Sequence, residues 1–233
     1  DLQPDPESDI PTRRLTGLAS CLTTTLAAGL SLYALYWVVG IVQPQVYRPS
    51  FLLIALTLTF LLYPASRRAR SRITPVDWLL VGLAGLALGW PIVDLNQFVY
   101  RAATPSDLDL VLGITTTALV LEATRRTVGL ILPITAVVFL AYAYFGPWLE
   151  LIGLDLIAHR GYETTRLVGT LYMTLEGIFG VPLNVAATYI VLFTIFGSVL
   201  AKSGAGQFFI NWTLSAFGRS GSGAGPGRTV ALS

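Results

Sequence analysis

Charge-free apolar stretches recur along this sequence, and they constrain the fold more than any other feature. A helix that crosses the hydrocarbon core of a bilayer needs about 20 mostly apolar residues. Six mostly apolar stretches can meet this length, alone or with their flanking residues: 15–42, 51–63, 78–93, 108–123, 128–149 and 185–201. Five of them lack Asp, Glu, Lys and Arg, and 108–123 holds only Asp109 and Glu122, near its two ends. The sequence therefore predicts an all-α, polytopic transmembrane protein with about six spans.

The composition agrees with a membrane protein and argues against other classes. Hydrophobic residues make up 54% of the 233 residues and charged residues 12%, about half the charged share of an ordinary soluble domain. The net charge of +2 is too small for a nucleic-acid surface. His159 is the single histidine and Cys21 the single cysteine, which leaves no disulfide and little for a catalytic or metal site. We therefore expect a bilayer partner, no nucleic acid, no metal, no catalytic residue and no enzyme.

The basic residues predict the orientation. If the N-terminus is cytoplasmic and the six spans alternate, nine of the basic residues up to Lys202 fall on the cytoplasmic side and four on the other, as the positive-inside rule requires. The cytoplasmic set is Arg13, Arg14, Arg67, Arg68, Arg70, Arg72, Arg125, Arg126 and Lys202, and the opposite set is Arg48, Arg101, Arg160 and Arg166. The count supports a multi-pass protein with a cytoplasmic N-terminus.

The two ends of the sequence are too polar or too flexible to span a membrane. Residues 1–14 hold four acidic groups and three prolines, which predicts a disordered cytoplasmic tail. Residues 219–233 are rich in Gly and Ser, which predicts a flexible cytoplasmic loop. A phosphate-binding loop is excluded there, because Ser222 replaces the first glycine of that motif and Arg228 its lysine.

An amphipathic segment, 161–180, precedes the last apolar stretch. Its apolar residues fall on one helical stripe, which predicts a helix lying in the membrane interface. Glu176 and Gly177 stand at its end, and Gly180 and Pro182 then break the helix. We predict that these four residues form an interfacial elbow, which turns the chain into the membrane.

A charged cluster lies where the fourth span ends. Glu122 precedes Arg125 and Arg126 by three and four residues, the spacings at which helical side chains meet. A carboxylate near hydrocarbon is costly unless it is paired. The pattern favours a neutralised structural charge pair that fixes a tight turn, and the alternative is an intramembrane site for a substrate or a partner helix.

Three stretches of the sequence resemble a known family. They are "LVLEATRRTVGLILPITAVVFLAYAYFGPW" at 119–148, "HRGY" at 159–162 and "LEGIFGVPLNVAATYIVLFTIFGSVLAKSGAGQFF" at 175–209. They are similar to the fused membrane component of TRAP transporters, in the branch whose periplasmic receptor is of the TAXI type. Residues before 119 resemble that family's small-component region in their number of spans and their hydrophobicity.

The resemblance implies a permease of the bacterial inner membrane that takes up organic acids with sodium and a soluble periplasmic receptor. The small region would be a scaffold that braces the large region. Sodium ions would bind in re-entrant hairpins beyond residue 233, and no other cofactor is predicted. The substrate-binding residues stay unknown at this point. The implied domains are the tail 1–14, a four-span scaffold 15–123, a connecting span and outer loop 124–160, the interfacial helix and start of the large region 161–218, and the loop 219–233.

Two functions remain open on this basis. In the first, the chain is the scaffold-bearing part of a TRAP-type secondary transporter. In the alternative, it is a truncated TRAP-permease-like protein, which serves as a structural accessory subunit of a larger pigment-bearing or respiratory membrane complex. Other subunits of such a complex would then be its partners, in place of the receptor and the rest of the permease.

Overall fold

The structure is a computed structural model in which all regular elements of the described residues are helices. It describes residues 12–13, 15, 17–40, 42–65, 73–151 and 159–218, without the side chains of 149–151 and 216–218. The helices are α1 (Leu18–Val39), α2 (Pro44–Leu62), α3 (Pro75–Val93), α4 (Leu95–Tyr100), α5 (Asp107–Thr127), α6 (Ile131–Leu151), α7 (Thr164–Val168), α8 (Val181–Val185), α9 (Val191–Lys202) and α10 (Ala205–Gly218). The predicted all-α fold is confirmed.

Proline and short polar side chains determine where the central helices begin. A proline, which lacks the N–H that a first helical residue would leave unpaired, opens α2 and α3. The backbone N–H of Thr74 donates to the Asp77 carboxylate at 2.9 Å, at the start of α3. At the start of α5, the N–H of Ser106 donates to Asp109 at 3.1 Å, and the hydroxyl of Ser106 accepts from the N–H of Asp109. These reciprocal bonds are capping boxes.

Five of the described helices are long and apolar enough to cross a membrane. They are Leu18–Val39, Pro44–Leu62, Pro75–Val93, Ile131–Trp148 and Val181–Lys202. The fourth of these, in α6, is interrupted by non-helical dihedral angles at Phe145, two residues before Pro147. The protein is therefore a multi-pass membrane protein.

The remaining predicted span, 108–123, lies within α5. This helix has 21 residues, but it carries charged side chains towards both ends and is less apolar than the other five. Those residues are Asp107, Asp109, Glu122, Arg125 and Arg126. The length of α5 suits a span, and several of its charged side chains form ion pairs with other residues of the protein.

Helices α2, α3 and α5 pack together and form the core with the segment that follows α6. Helix α1 packs on α2, and α6 contacts α5. The buried core residues are Leu52, Leu56, Phe60, Ala84, Leu88, Phe98, Leu119, Ala123, Val168, Tyr172, Met173 and Phe179. The last four come from the predicted interfacial segment, so its apolar side chains pack against the three central helices.

The predicted interfacial helix is shorter in the structure than the apolar stripe suggests. It begins with α7 and continues as a π-helical turn over Gly169–Met173. Thr174 then has extended dihedral angles, and turns follow as far as Gly180. The chain leaves the helix because the N–H of Ile178 bonds back to the carbonyl of Leu171 at 2.8 Å, which an uninterrupted α-helix does not allow.

The chain divides into two compact units. Asp1–Thr188 contains α1 to α8 and the core described above. In the described part of Tyr189–Ser233, α9 and α10 are joined at Gly204, whose φ of +73° favours glycine. Large apolar side chains of both helices are exposed, among them Phe193, Phe196 and Trp212, as expected for surfaces that meet lipid or another apolar surface.

The close packing of α5 on α7 gives a first prediction. A Cβ at Gly113 would overlap the Val168 side chain and lie 3.1 Å from the Cβ of Tyr172. Gly113→Ala should therefore destabilise the fold by about 1–3 kcal/mol, the usual cost of overpacking. The measurement is the thermal unfolding midpoint of the purified protein in detergent. Gly82→Ala in α3 is the control, because nothing lies within 4 Å of the added Cβ; equal midpoints for the two variants would contradict the packing.

Candidate functional site

A buried carboxylate joins three helix ends. Asp77, in the first turn of α3, has a side chain that is 0% exposed. Its Oδ2 accepts from Arg13 Nη2 and its Oδ1 from Arg126 Nη1, both at 2.7 Å. The hydroxyl of Thr74 also donates to Oδ2, at 2.8 Å. Since these donors satisfy both oxygens, the carboxylate can stay charged without water.

Arg13 connects this carboxylate to the end of α2. Its backbone N–H donates to the carbonyl of Leu62 at 2.8 Å, and its Nη1 lies 3.2 Å from the carbonyl of Leu61. The last carbonyls of a helix have no partner within the helix and carry partial negative charge. Arg13 therefore caps α2 and pairs with Asp77 at the same time.

Arg126 connects the carboxylate to the end of α5. Its Nε donates to Glu122 at 2.8 Å, its Nη1 donates to the carbonyl of Tyr63 at 3.1 Å, and its guanidinium lies over the ring of Phe60 at 5.1 Å. Its Nη2 is buried without a hydrogen-bond partner among the described residues. A guanidinium over an aromatic face gains a cation–π interaction, so the ring offsets part of that loss.

Glu122 also binds the neighbouring arginine. Arg125 donates from Nε at 2.7 Å and from Nη2 at 2.8 Å, a bidentate arrangement. Arg125 lies outside the apolar spans, and its hydrogen bonds to Glu122 raise its pKa. The structure thus brings the three residues of the predicted charge pair together; whether their role is structural or functional stays a prediction.

We call Arg13, Asp77, Glu122, Arg125 and Arg126 the Asp77 network. Sequence reasoning missed Asp77 and Arg13 as members. The capping pattern that starts at Thr74 predicts the local role of Asp77, and nothing in the sequence pairs it with arginines 64 and 49 positions away. The network ties the ends of α2 and α5 to the start of α3.

A second network lies at the opposite end of α5. The buried Asp109 accepts from Trp90 Nε1 at 3.0 Å and from Arg101 Nε at 3.1 Å. Arg101 Nη2 also donates to Asp94 at 2.8 Å. Hydrogen bonds to Asp109 and then to Asp94 raise the pKa of Arg101. We call these four residues the Asp109 network, and it fixes the loop between α3 and α5.

Three side chains attach the segment before α9 to α2 and α3. The hydroxyl of Tyr47 donates to the carbonyl of Ala187 at 2.6 Å, and Arg48 Nη1 donates to the carbonyl of Phe179 at 2.7 Å. The third bond is donated by the segment itself: the hydroxyl of its Tyr172 donates to the carbonyl of Ala87 in α3. Sequence reasoning assigned these residues no role.

The four residues of the predicted elbow lie between these attachment points. Glu176 is exposed and its backbone N–H bonds to the hydroxyl of Thr174. A Cβ at Gly177 would overlap the backbone of Leu171, while Pro182 is in the first turn of α8. The carboxylate of Glu176 makes no ion pair among the described residues. The elbow as a functional site remains a prediction.

No group of three or more His, Cys, Asp or Glu side chains that could hold a metal ion occurs within the described ranges. Asp94 and Asp109, which face the same loop, are joined by the guanidinium of Arg101. The oxygens that a cation would use there already accept hydrogen bonds. Within the Asp77 network and the Asp109 network, the charged side chains therefore act on one another.

The apolar helices and the ion-pair networks at their ends define the class of this protein, a multi-pass helical membrane protein. Residues 115–232, which are 118 of 233 residues, match the family described as Tripartite ATP-independent periplasmic transporter, DctM component. The chain belongs to this family, and the resemblance to the TRAP transporter permease is confirmed at this level. No curated protein and no solved structure gives a match.

The Asp77 network gives a second prediction. Asp77→Asn should destabilise the protein by about 3–5 kcal/mol, because two buried guanidinium groups lose their shared counterion. The measurement is the thermal unfolding midpoint in detergent. Asp107→Asn is the matched control, since Asp107 is exposed in the first turn of α5. A midpoint for Asp77→Asn equal to that of the control would show that the ion pairs do not hold the bundle.

The elbow gives a third prediction. A Cβ at Gly180 would lie 2.8 Å from the carbonyl oxygen of Gly177 and 3.0 Å from that of Glu176, and both are backbone atoms. Gly180→Ala should therefore lower the fraction of monodisperse protein in size-exclusion chromatography, at a cost of about 1–3 kcal/mol. Gly197→Ala in α9, where the added Cβ meets nothing within 4 Å, should behave as wild type. Identical profiles for both variants would refute the tight turn.

Proposed function

We propose that this chain is the scaffold-bearing part of a TRAP-type permease, in which a sodium gradient drives the uptake of organic acids delivered by a periplasmic receptor. The observation that carries the proposal is the DctM match over residues 115–232. The packed helices α1 to α4 precede that match, which suits a fusion of a small component with a large one. We assign the fusion to the branch with TAXI-type receptors on the resemblance of 119–148 and 175–209.

The ion-pair networks support a scaffold role for the region 15–123. The Asp77 network and the Asp109 network lie at opposite ends of α5, and each ties this helix to α3. Charged groups that hold one another through short hydrogen bonds suit a rigid frame better than a site that must exchange a ligand. We place the start of the large region in 161–218 and the connecting part in 124–160. The predicted cytoplasmic loop 219–233 and most of the predicted tail 1–14 lie outside the described residues.

The same networks support the proposed orientation in a bacterial inner membrane. Arg13, Arg125 and Arg126 meet at one end of the bundle, and Arg101 lies at the other end of α5. This grouping fits the division of basic residues between the two sides, with a cytoplasmic N-terminus. The receptor would then bind on the side of Arg101.

The fourth prediction tests the scaffold role. Glu122→Gln should lower the amount of folded permease in the membrane severalfold, because the buried Arg126 loses one of its two counterions. Uptake per folded copy should stay unchanged. The two measurements are in-gel fluorescence of a fusion protein for the folded amount, and sodium-driven uptake of labelled organic acids in vesicles that contain the receptor and the permease.

Glu163→Gln is the matched control, since Glu163 is exposed and makes only a 3.5 Å contact with Thr165. A normal amount of folded Glu122→Gln protein with lost uptake would assign Glu122 to the transport step. Uptake that depends on neither sodium nor receptor in the wild type would overturn the transporter itself. Purification of the chain with unrelated membrane subunits would then favour the accessory-subunit alternative.

A further inference from the structure

Arg48 is a half-buried cation without a counterion. It lies in the second turn of α2, and among the described residues its one hydrogen bond runs from Nη1 to the neutral carbonyl of Phe179, at 2.7 Å. Its Nε is buried and has no hydrogen-bond partner in the part of the chain that the structure describes. The parallel N–H groups of Nε and Nη2, which bind carboxylate or phosphate side-on, therefore carry no acceptor.

The other arginines in packed positions differ from Arg48. Arg13, Arg101, Arg125 and Arg126 each donate to a carboxylate at 3.1 Å or less. Arginines that lack an ion pair among the described residues, Arg160 and Arg166, are exposed. An uncompensated guanidinium on an apolar helix costs free energy, which an anion recovers. Arg48 is half-buried and has no anionic partner among the described residues, so binding of an anion would stabilise it.

The aromatic residues around Arg48 indicate its depth in the membrane. The neighbouring Tyr47 stacks on Trp37 with ring centroids 4.1 Å apart, and Tyr33 lies 5.2 Å from Tyr47. Tyr36 on the same end of α1 is 61% exposed. Tyr and Trp collect where the hydrocarbon meets the headgroups. Arg48 therefore lies at the level of the lipid phosphates.

We propose that Arg48 binds an oxyanion at the junction of α2 with the Phe179 turn, and that this anion is the phosphate of a phospholipid headgroup. The bond to Phe179 holds Nη1 in place and leaves the Nε–Nη2 edge for two phosphate oxygens. Because Nε is buried in this structure, the proposal requires the end of the Arg48 side chain to rotate when the anion binds. A dissolved organic anion has the same chemistry, so the experiment separates the two sources.

The fifth prediction concerns the purified full chain in detergent. Dioctanoyl phosphatidylglycerol should raise its thermal unfolding midpoint and stay bound in native mass spectrometry. Dioctanoylglycerol, which has the same tails and no phosphate, should do neither. Arg48→Gln should weaken the binding of the phospholipid roughly tenfold, the loss of about one charge-assisted hydrogen bond. Arg160→Gln is the control for an exposed arginine and should bind as wild type.

Each other outcome decides the proposal. An Arg48-dependent shift of the midpoint with glycerol 3-phosphate or succinate would assign the site to a dissolved anion. Equal binding by wild type and Arg48→Gln, or equal effects of the two lipids, would overturn the oxyanion site. If Arg48→Gln fails to fold, Arg48→Lys carries the test, because a lysine keeps the charge without the side-on edge; an affinity equal to wild type would then overturn the proposal.

Discussion

The buried Asp77 carboxylate, held between two guanidinium groups, is the interaction on which the bundle depends. Moving a carboxylate and two guanidinium groups out of water costs several kcal/mol for each ion, and the cost is met only when every oxygen has a donor. Here the donors come from the segment before α1, from the cap of α3 and from the end of α5. The arrangement therefore requires all three elements in one register, which an apolar contact would not.

Ion pairs at the ends of helices contribute more to the choice of helix packing in a membrane than in water. Lipid tails are as apolar as leucine side chains, so burial of apolar surface alone does little to choose one helix packing over another. The core of α2, α3 and α5 is apolar between the Asp77 network and the Asp109 network. The ion pairs at both ends of α5 can therefore determine which helices pack against it, which the apolar middle of the bundle does not.

The sequence predicts local features well and distant ones poorly. Hydropathy predicts the five helices that are apolar enough to cross a membrane. The spacing of Glu122 and Arg126 predicts their contact, because both lie on one helix. The start of α2 at Pro44, rather than near 51, is missed because Arg48 and Pro49 suggest a break, although the helix includes both. Asp77 meets Arg13 and Arg126 only through tertiary packing, which residue spacing does not encode. The π-helical turns have no periodic pattern of their own.

The family match and the packing divide the chain at different places. The match begins at residue 115 within α5, whereas the first compact unit ends at Thr188. Residues 115–188 thus belong to the family and pack with the helices that precede the match. Irregular backbone at membrane depth needs hydrogen bonds from the protein, and the π-helical turn at Ala186–Ile190 obtains one from Tyr47 of α2. The helices before the match therefore help to satisfy the backbone of the first part of the family region, with which they form the first compact unit.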